Sequence, residues 1–238
     1  MSAPDATAAL PRPLTLKAAP TALALACLAM VVSAVVFTEP APVDILFMGL
    51  IVLLPLLRLV AIGPVALAGF TLWMFVVATG YAAVLQSPTL ASATIHLAVT
   101  LYLAAMAMVL AGFVAAAPRR AHVLMWAYVA GAGLAAVAAL VGYFNIVPGF
   151  QELFTNYGRA RGTFKDPNVL GAALAPAIAF LVWQMLRADR RRARIAIGAS
   201  VVLALALLLS FSRGAWISLA ITLAIIGVAS LARARRRD

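Results

Sequence analysis

A chain of 238 residues that is 66% hydrophobic and 11% charged, with a mean hydropathy of +1.08, has too little polar surface to close over a water-soluble core. This excludes soluble enzymes and soluble binding modules and places the chain among integral membrane proteins. A formal charge of +11 would suggest a nucleic-acid partner in a soluble protein, but here most cations fall in short stretches between apolar runs, where they report membrane orientation instead.

Residues 1–17 form a polar N-terminal segment ending in Arg12 and Lys17. Residues 18–37 are uncharged and long enough for a first crossing at ~20 residues per span; further spans follow, unlike a cleaved signal core. Residues 45–85 need two spans, and Arg58 with Gly63-Pro64 marks the turn at 58–64. An uncharged loop at 86–94 leads to a fourth span at 95–117. Pro118-Arg119-Arg120 ends that span, and 122–144 makes the fifth. The longest polar connection, 145–168, precedes the sixth span at 169–186, and a basic loop occupies 187–194. Residues 195–231 are too long for one helix at ~1.5 Å per residue, so Ser210-Phe-Ser-Arg-Gly214 is read as a turn between two spans. A basic tail fills 232–238.

The expected fold is therefore all-α, a polytopic bundle of eight transmembrane helices within residues 18–231, with both termini cytoplasmic. That orientation leaves fourteen of the eighteen Lys and Arg residues inside; Arg159, Arg161, Lys165 and Arg213 are the four left outside. The cluster at 187–194 then reads as a topogenic and lipid-binding patch. One cysteine, Cys27, excludes an intrachain disulfide, and His96 and His122 have no ligand spacing, so neither a metal nor another cofactor is expected.

The four outer cations admit a bland account, as solvated charges pairing with Glu152, Asp166 or lipid head groups. Two features favour a ligand. Asp166-Pro167 reads as a helix start, with Asp166 as the cap and Pro167 at the first helical position. The last span also starts on this side, with Ser212 as the cap and Arg213 in its first turn, where a cation opposes the helix dipole unless an anion lies nearby. Two helix starts and four cations make a cradle suited to phosphate oxygens.

The stretch Arg159-Ala-Arg-Gly-Thr-Phe-Lys-Asp-Pro-Asn-Val-Leu-Gly171, leading into a span and followed after the basic loop by Leu209-Ser-Phe-Ser-Arg-Gly-Ala-Trp216, resembles the O-antigen ligase and polymerase-like family of bacterial membrane proteins. The resemblance implies a metal-independent glycosyltransferase in the inner membrane, working at its periplasmic face. Its donor would be a glycan on undecaprenyl pyrophosphate and its acceptor the lipid A core, another glycan or a protein. An acceptor hydroxyl would attack the anomeric carbon as the lipid pyrophosphate leaves, and fixed cations would stabilise the charge that develops there. By position, Arg161 matches the family's functional arginine, with Arg159 sharing its role; Arg213 matches the arginine of the Ser-Arg-Gly motif. Lys165 and Asn168 join them as pyrophosphate-binding candidates from charge and capping alone.

Family members continue past the Ser-Arg-Gly span into a large periplasmic loop that carries a functional histidine and another arginine. The resemblance therefore implies that this chain is the N-terminal portion, and no general base is identifiable in it. A non-catalytic fragment, half of a split enzyme, or a transporter of an anionic lipid-linked substrate stand as alternatives. Among smaller features, Tyr81, Tyr143 and Trp216 read as interfacial anchors. Tyr157 suits either sugar stacking or loop packing, and Gly131 and Gly133 suggest close helix contact.

Overall fold

Apolar runs of this length must satisfy their own backbone groups, and the α-helix does so within one segment. The computed structural model describes residues 12–38, 40–84, 90–187 and 189–234. The first eleven residues, 86–89 of the predicted 86–94 loop and the end of the basic tail lie outside the described residues, whereas 90–94, predicted as loop, are helical.

The described helices are α1 (Arg12–Val32), α2 (Pro42–Leu56), α3 (Pro64–Val84), α4 (Leu90–Ala116), α5 (Arg119–Tyr143), α6 (Phe150–Phe154), α7 (Pro167–Met185), α8 (Arg190–Leu209) and α9 (Arg213–Ala234). Between α6 and α7 lies one antiparallel hairpin, β1 (Thr155–Asn156) with β2 (Arg159–Ala160). Among the described residues six helices are long and apolar enough to cross a membrane: α3, α4, α5, α7, α8 and α9. The chain is thus an all-α multi-pass membrane protein by length and composition. The apolar parts of α1 and α2, Ala18–Val32 and Pro42–Leu56, are shorter.

Several boundaries differ from the sequence expectation, each for a local reason. The first predicted span stops at Val32 because 33–37 turns away: Val36 N–H donates to Thr163 O at 2.9 Å and pairs as an isolated bridge with Phe164. The predicted basic loop 187–194 is mostly helix. Asp189 caps α8 by accepting from Arg192 N–H at 2.9 Å, so Arg190, Arg191, Arg192 and Arg194 lie in its first turns. Arginine is a good helix former, and hydropathy does not register that. In the same way α5 starts at Arg119 rather than at residue 122.

The chain divides into two compact units, Met1–Ala26 with Ile45–Val123, and Cys27–Asp44 with Leu124–Asp238. In the first, α3 packs on α4. Arg120 donates through Nη1 to Phe113 O at 2.7 Å and Leu59 O at 3.2 Å, with its guanidinium 4.0 Å from the Phe113 ring centroid. It thereby ties the α2–α3 connection to the end of α4.

The second unit holds α7 against both α8 and α9. Its core alternates alanines with leucines: Ala135, Ala139, Ala177 and Ala206 are fully buried beside Leu170, Leu174 and Leu181. Small residues let helix backbones approach, which is how membrane helices gain packing energy where lipid removes the hydrophobic drive. Gly131 fits this reading, since a Cβ there would meet Val31 O at 2.7 Å; Gly133 does not, having open space around it. Tyr128 Oη donates to Ala173 O at 2.6 Å, so its buried hydroxyl is satisfied.

Candidate cationic site at the head of helix α7

The connection from α5 to α7 is more built than a polar loop. Asn156 and Arg159 pair across the two-residue turn Tyr157-Gly158, both of which have positive φ (50° and 69°). This mirror-image turn matches the twist of paired strands, and glycine is at home in it. The tyrosine ring at its tip is 95% exposed, so Tyr157 does not close the loop by packing.

The next residues are drawn inward. Arg161 and Gly162 both donate their N–H groups to Phe154 O, at 2.9 and 3.0 Å, and Phe164 N–H returns to Arg161 O at 3.1 Å. Gly162 has φ +54°, and a Cβ there would stand 2.5 Å from Ala135 O, so the Arg-Gly step lies directly on α5. Thr163 Oγ1 donates to Ala34 O, tying the same turn to the segment after α1.

Asp166 is the N-cap of α7: its carboxylate accepts from Asn168 N–H at 2.7 Å, with Pro167 at the first helical position, as the sequence predicts. Ser212 starts α9 in the same manner, its hydroxyl accepting from Ala215 N–H at 3.4 Å, and Arg213 is the first helical residue. The two starts are neighbours. A Cβ on Gly171 would lie 2.8 Å from Ser212 Cβ and 2.9 Å from Ala215 Cβ, so only glycine lets α7 approach the α8–α9 turn this closely.

Among the predicted site residues, Arg159 joins the three segments. Its Nε donates to Ser210 O at 2.8 Å and its Nη2 to Asn168 Oδ1 at 2.8 Å. Arg159 and Asn168 are therefore engaged with the protein and with each other. Ser210 is fully buried; its hydroxyl donates to Leu207 O at 2.7 Å and accepts from Ser212 N–H at 3.3 Å. In the sequence Ser210 belongs to the polar turn and to the Leu209–Trp216 motif, and its one chemical signal is a hydroxyl between apolar helices.

Arg161 is placed differently. It is half-buried, its Nη1 reaches Lys165 O only at 3.5 Å, and its Nε is fully buried with no hydrogen-bond partner among the described residues. Lys165 and Arg213 are exposed. The residues are thus brought together in two groups: Arg159, Asn168 and Ser210 form a closed clamp, and Arg161 with the Lys165 backbone forms an open one.

The clamp makes a prediction. Arg159→Ala and Asn168→Ala should each lower detergent thermal stability by about 1.5–3 kcal/mol, the usual range for a hydrogen bond to a charged group. The double variant should fall short of the sum, because both remove one shared bond. Strict additivity in thermal melts would show that Arg159 and Asn168 act separately.

No protein-family model, no curated protein and no solved structure matches this chain.

Proposed function

We propose that the chain is the motif-bearing part of a glycosyltransferase of the O-antigen ligase type. It lies in a bacterial inner membrane as eight crossings with both termini cytoplasmic, and its cationic turn faces the periplasm. The donor is a glycan on undecaprenyl pyrophosphate; the acceptor is a hydroxyl of the lipid A core, of another glycan or of a protein.

The observation that carries the reading is Arg161 Nε, a buried guanidinium N–H with no acceptor among the described residues, on the turn that leads into the capped start of α7. A buried donor left unpaired costs about 1–3 kcal/mol, more when charged, and an incoming anion would recover it. Further support comes from the two sequence motifs, which are separated in the chain by α7 and α8 yet touch through Arg159 and Ser210. The exposed Tyr157 ring, two residues from Arg159, offers a stacking face for a sugar.

In this reading the acceptor oxygen forms a bond to the anomeric carbon as the bond from that carbon to the diphosphate breaks; the diphosphate leaves with the electron pair, and the hydroxyl proton passes to solvent. Arg161 binds the departing oxygens, Lys165 and Arg213 add charge from the exposed side, and Arg159 with Asn168 holds the turn in place. Fixed donors of this kind act on charge as it develops, which raises the rate more than it tightens ground-state binding.

The test is a transfer assay in membrane vesicles carrying the whole gene product, given lipid-linked diphosphate glycan and acceptor. Glycan should appear on the acceptor with release of the lipid diphosphate. Donor that stays intact while the protein is present at normal abundance would refute the reading.

A further inference from the structure

The first part of the α5–α7 connection, polar by sequence position, exposes a run of large apolar side chains. Phe144 (57% exposed) and Ile146 (64%) are followed by Val147, Phe150 and Leu153, all exposed. On α6, Phe150 and Leu153 are three residues apart and share one side at ~100° per residue, while Gln151 and Glu152 fall on the other.

The depth of this segment follows from helix length. α5 has 25 residues, or about 37 Å at 1.5 Å each, against a hydrocarbon core of ~30 Å, and it starts with Arg119 and Arg120. With those arginines at one head-group layer, Tyr143 reaches the other, and Phe144 leaves the helix at the boundary between acyl chains and head groups. The segment is also pinned there. A Cβ on Gly142 would stand 2.5 Å from Phe154 Cβ and 2.9 Å from Phe150 O, so α6 lies hard against the end of α5. Phe150 and Phe154 stack edge-on at 5.3 Å, which leaves Leu153 and the preceding apolar residues facing outward.

We infer that residues 144–153 form an in-plane lip seated in the bilayer interface, with Phe144, Ile146, Val147 and Leu153 in lipid and Gln151 and Glu152 toward water. The occupant of this apolar face is the chain's own bilayer, because the face continues directly from the end of a span at that depth, and interfacial seating of such segments needs only apolar area on one side. The lip stands whether or not the chain transfers a glycan.

The test uses the full chain with Cys27→Ala, at one copy per nanodisc, carrying a single environment-sensitive fluorophore on Ile146→Cys, Leu153→Cys or Glu152→Cys. At 146 and 153 the emission should be blue-shifted, quenched at least twofold more by shallow nitroxide lipids than by deep ones, and insensitive to iodide. At 152 iodide should quench. Iodide quenching at 146 and 153 would overturn the inference. So would blue-shifted emission that no nitroxide lipid quenches, the mark of a protein contact.

Should a label disturb the fold, hydroxyl-radical footprinting of the unaltered chain gives the same answer. Oxidation of Phe144 and Leu153 at least fivefold slower in the nanodisc than in the denatured chain, with that of Tyr157 changed less than twofold, supports the lip, and unchanged oxidation of Phe144 and Leu153 overturns it.

Discussion

Replacing Arg161 with alanine is expected to reduce glycan transfer by about 10²–10³-fold, the usual cost of removing one fixed donor to a developing charge, with no loss of chain from the membrane. Arg161 differs from Arg159 in what its guanidinium already holds. Among the described residues Arg159 has two acceptors at 2.8 Å, whereas Arg161 has a buried Nε without one and a single hydrogen bond at 3.5 Å. Removing Arg159 should therefore act chiefly through stability, and removing Arg161 chiefly through turnover. Arg161→Lys keeps the charge but loses the planar fork that pairs with phosphate oxygens, so it should fall between wild type and alanine. The measurements are labelled-glycan transfer and membrane abundance by immunoblot; transfer at the wild-type rate in Arg161→Ala would remove this residue from the chemistry.

Gly162→Ala should be the most damaging small substitution in the chain. A left-handed residue with a Cβ costs roughly 1–2 kcal/mol by itself. Here the added carbon would also stand 2.5 Å from Ala135 O and 3.3 Å from Ala139 Cβ, both on α5. Forcing a methyl into such a contact adds about 1–3 kcal/mol, or the turn lifts away and carries Arg161 with it. Gly158→Ala is the matched control, since Gly158 has φ +69° but nothing within 4 Å of an added Cβ. Hydrogen exchange across residues 159–165 should accelerate strongly in Gly162→Ala and little in Gly158→Ala. Equal behaviour of the two would mean that contact with α5 does not hold the turn.

Features that depend on neighbouring residues in the chain were legible in the sequence. Asp166-Pro167 announced the start of α7 because capping chemistry acts over three residues, and Ser210–Gly214 announced a turn because no apolar helix of that length fits a bilayer. Features that depend on distant segments were not. Nothing near Val36 says that its N–H will meet Thr163, so the first span was read five residues too long. The Asn156–Arg159 hairpin was missed because Tyr157 is an unusual first residue for a turn with two positive φ angles, leaving Gly158 as the lone signal.

For the site, the sequence singled out the cations but could not divide their tasks. Charge and spacing treat Arg159 and Arg161 alike; only the fold shows that one is spent on Ser210 and Asn168 while the other keeps an unpaired donor. Thr163 was equally opaque, because its hydroxyl serves the Ala34 carbonyl 129 positions away in the chain.

In the proposed orientation the turn bearing Arg161 faces the periplasm. Glu152, exposed on α6 and nine residues before Arg161, is the place to measure it, since Thr163 is half-buried and already hydrogen-bonded. In cells whose outer membrane alone is permeabilised, a membrane-impermeant maleimide should label Glu152→Cys in the Cys27→Ala chain. Labelling that appears only after the cytoplasmic membrane is opened would place the cationic turn on the wrong side of the bilayer for a periplasmic transferase.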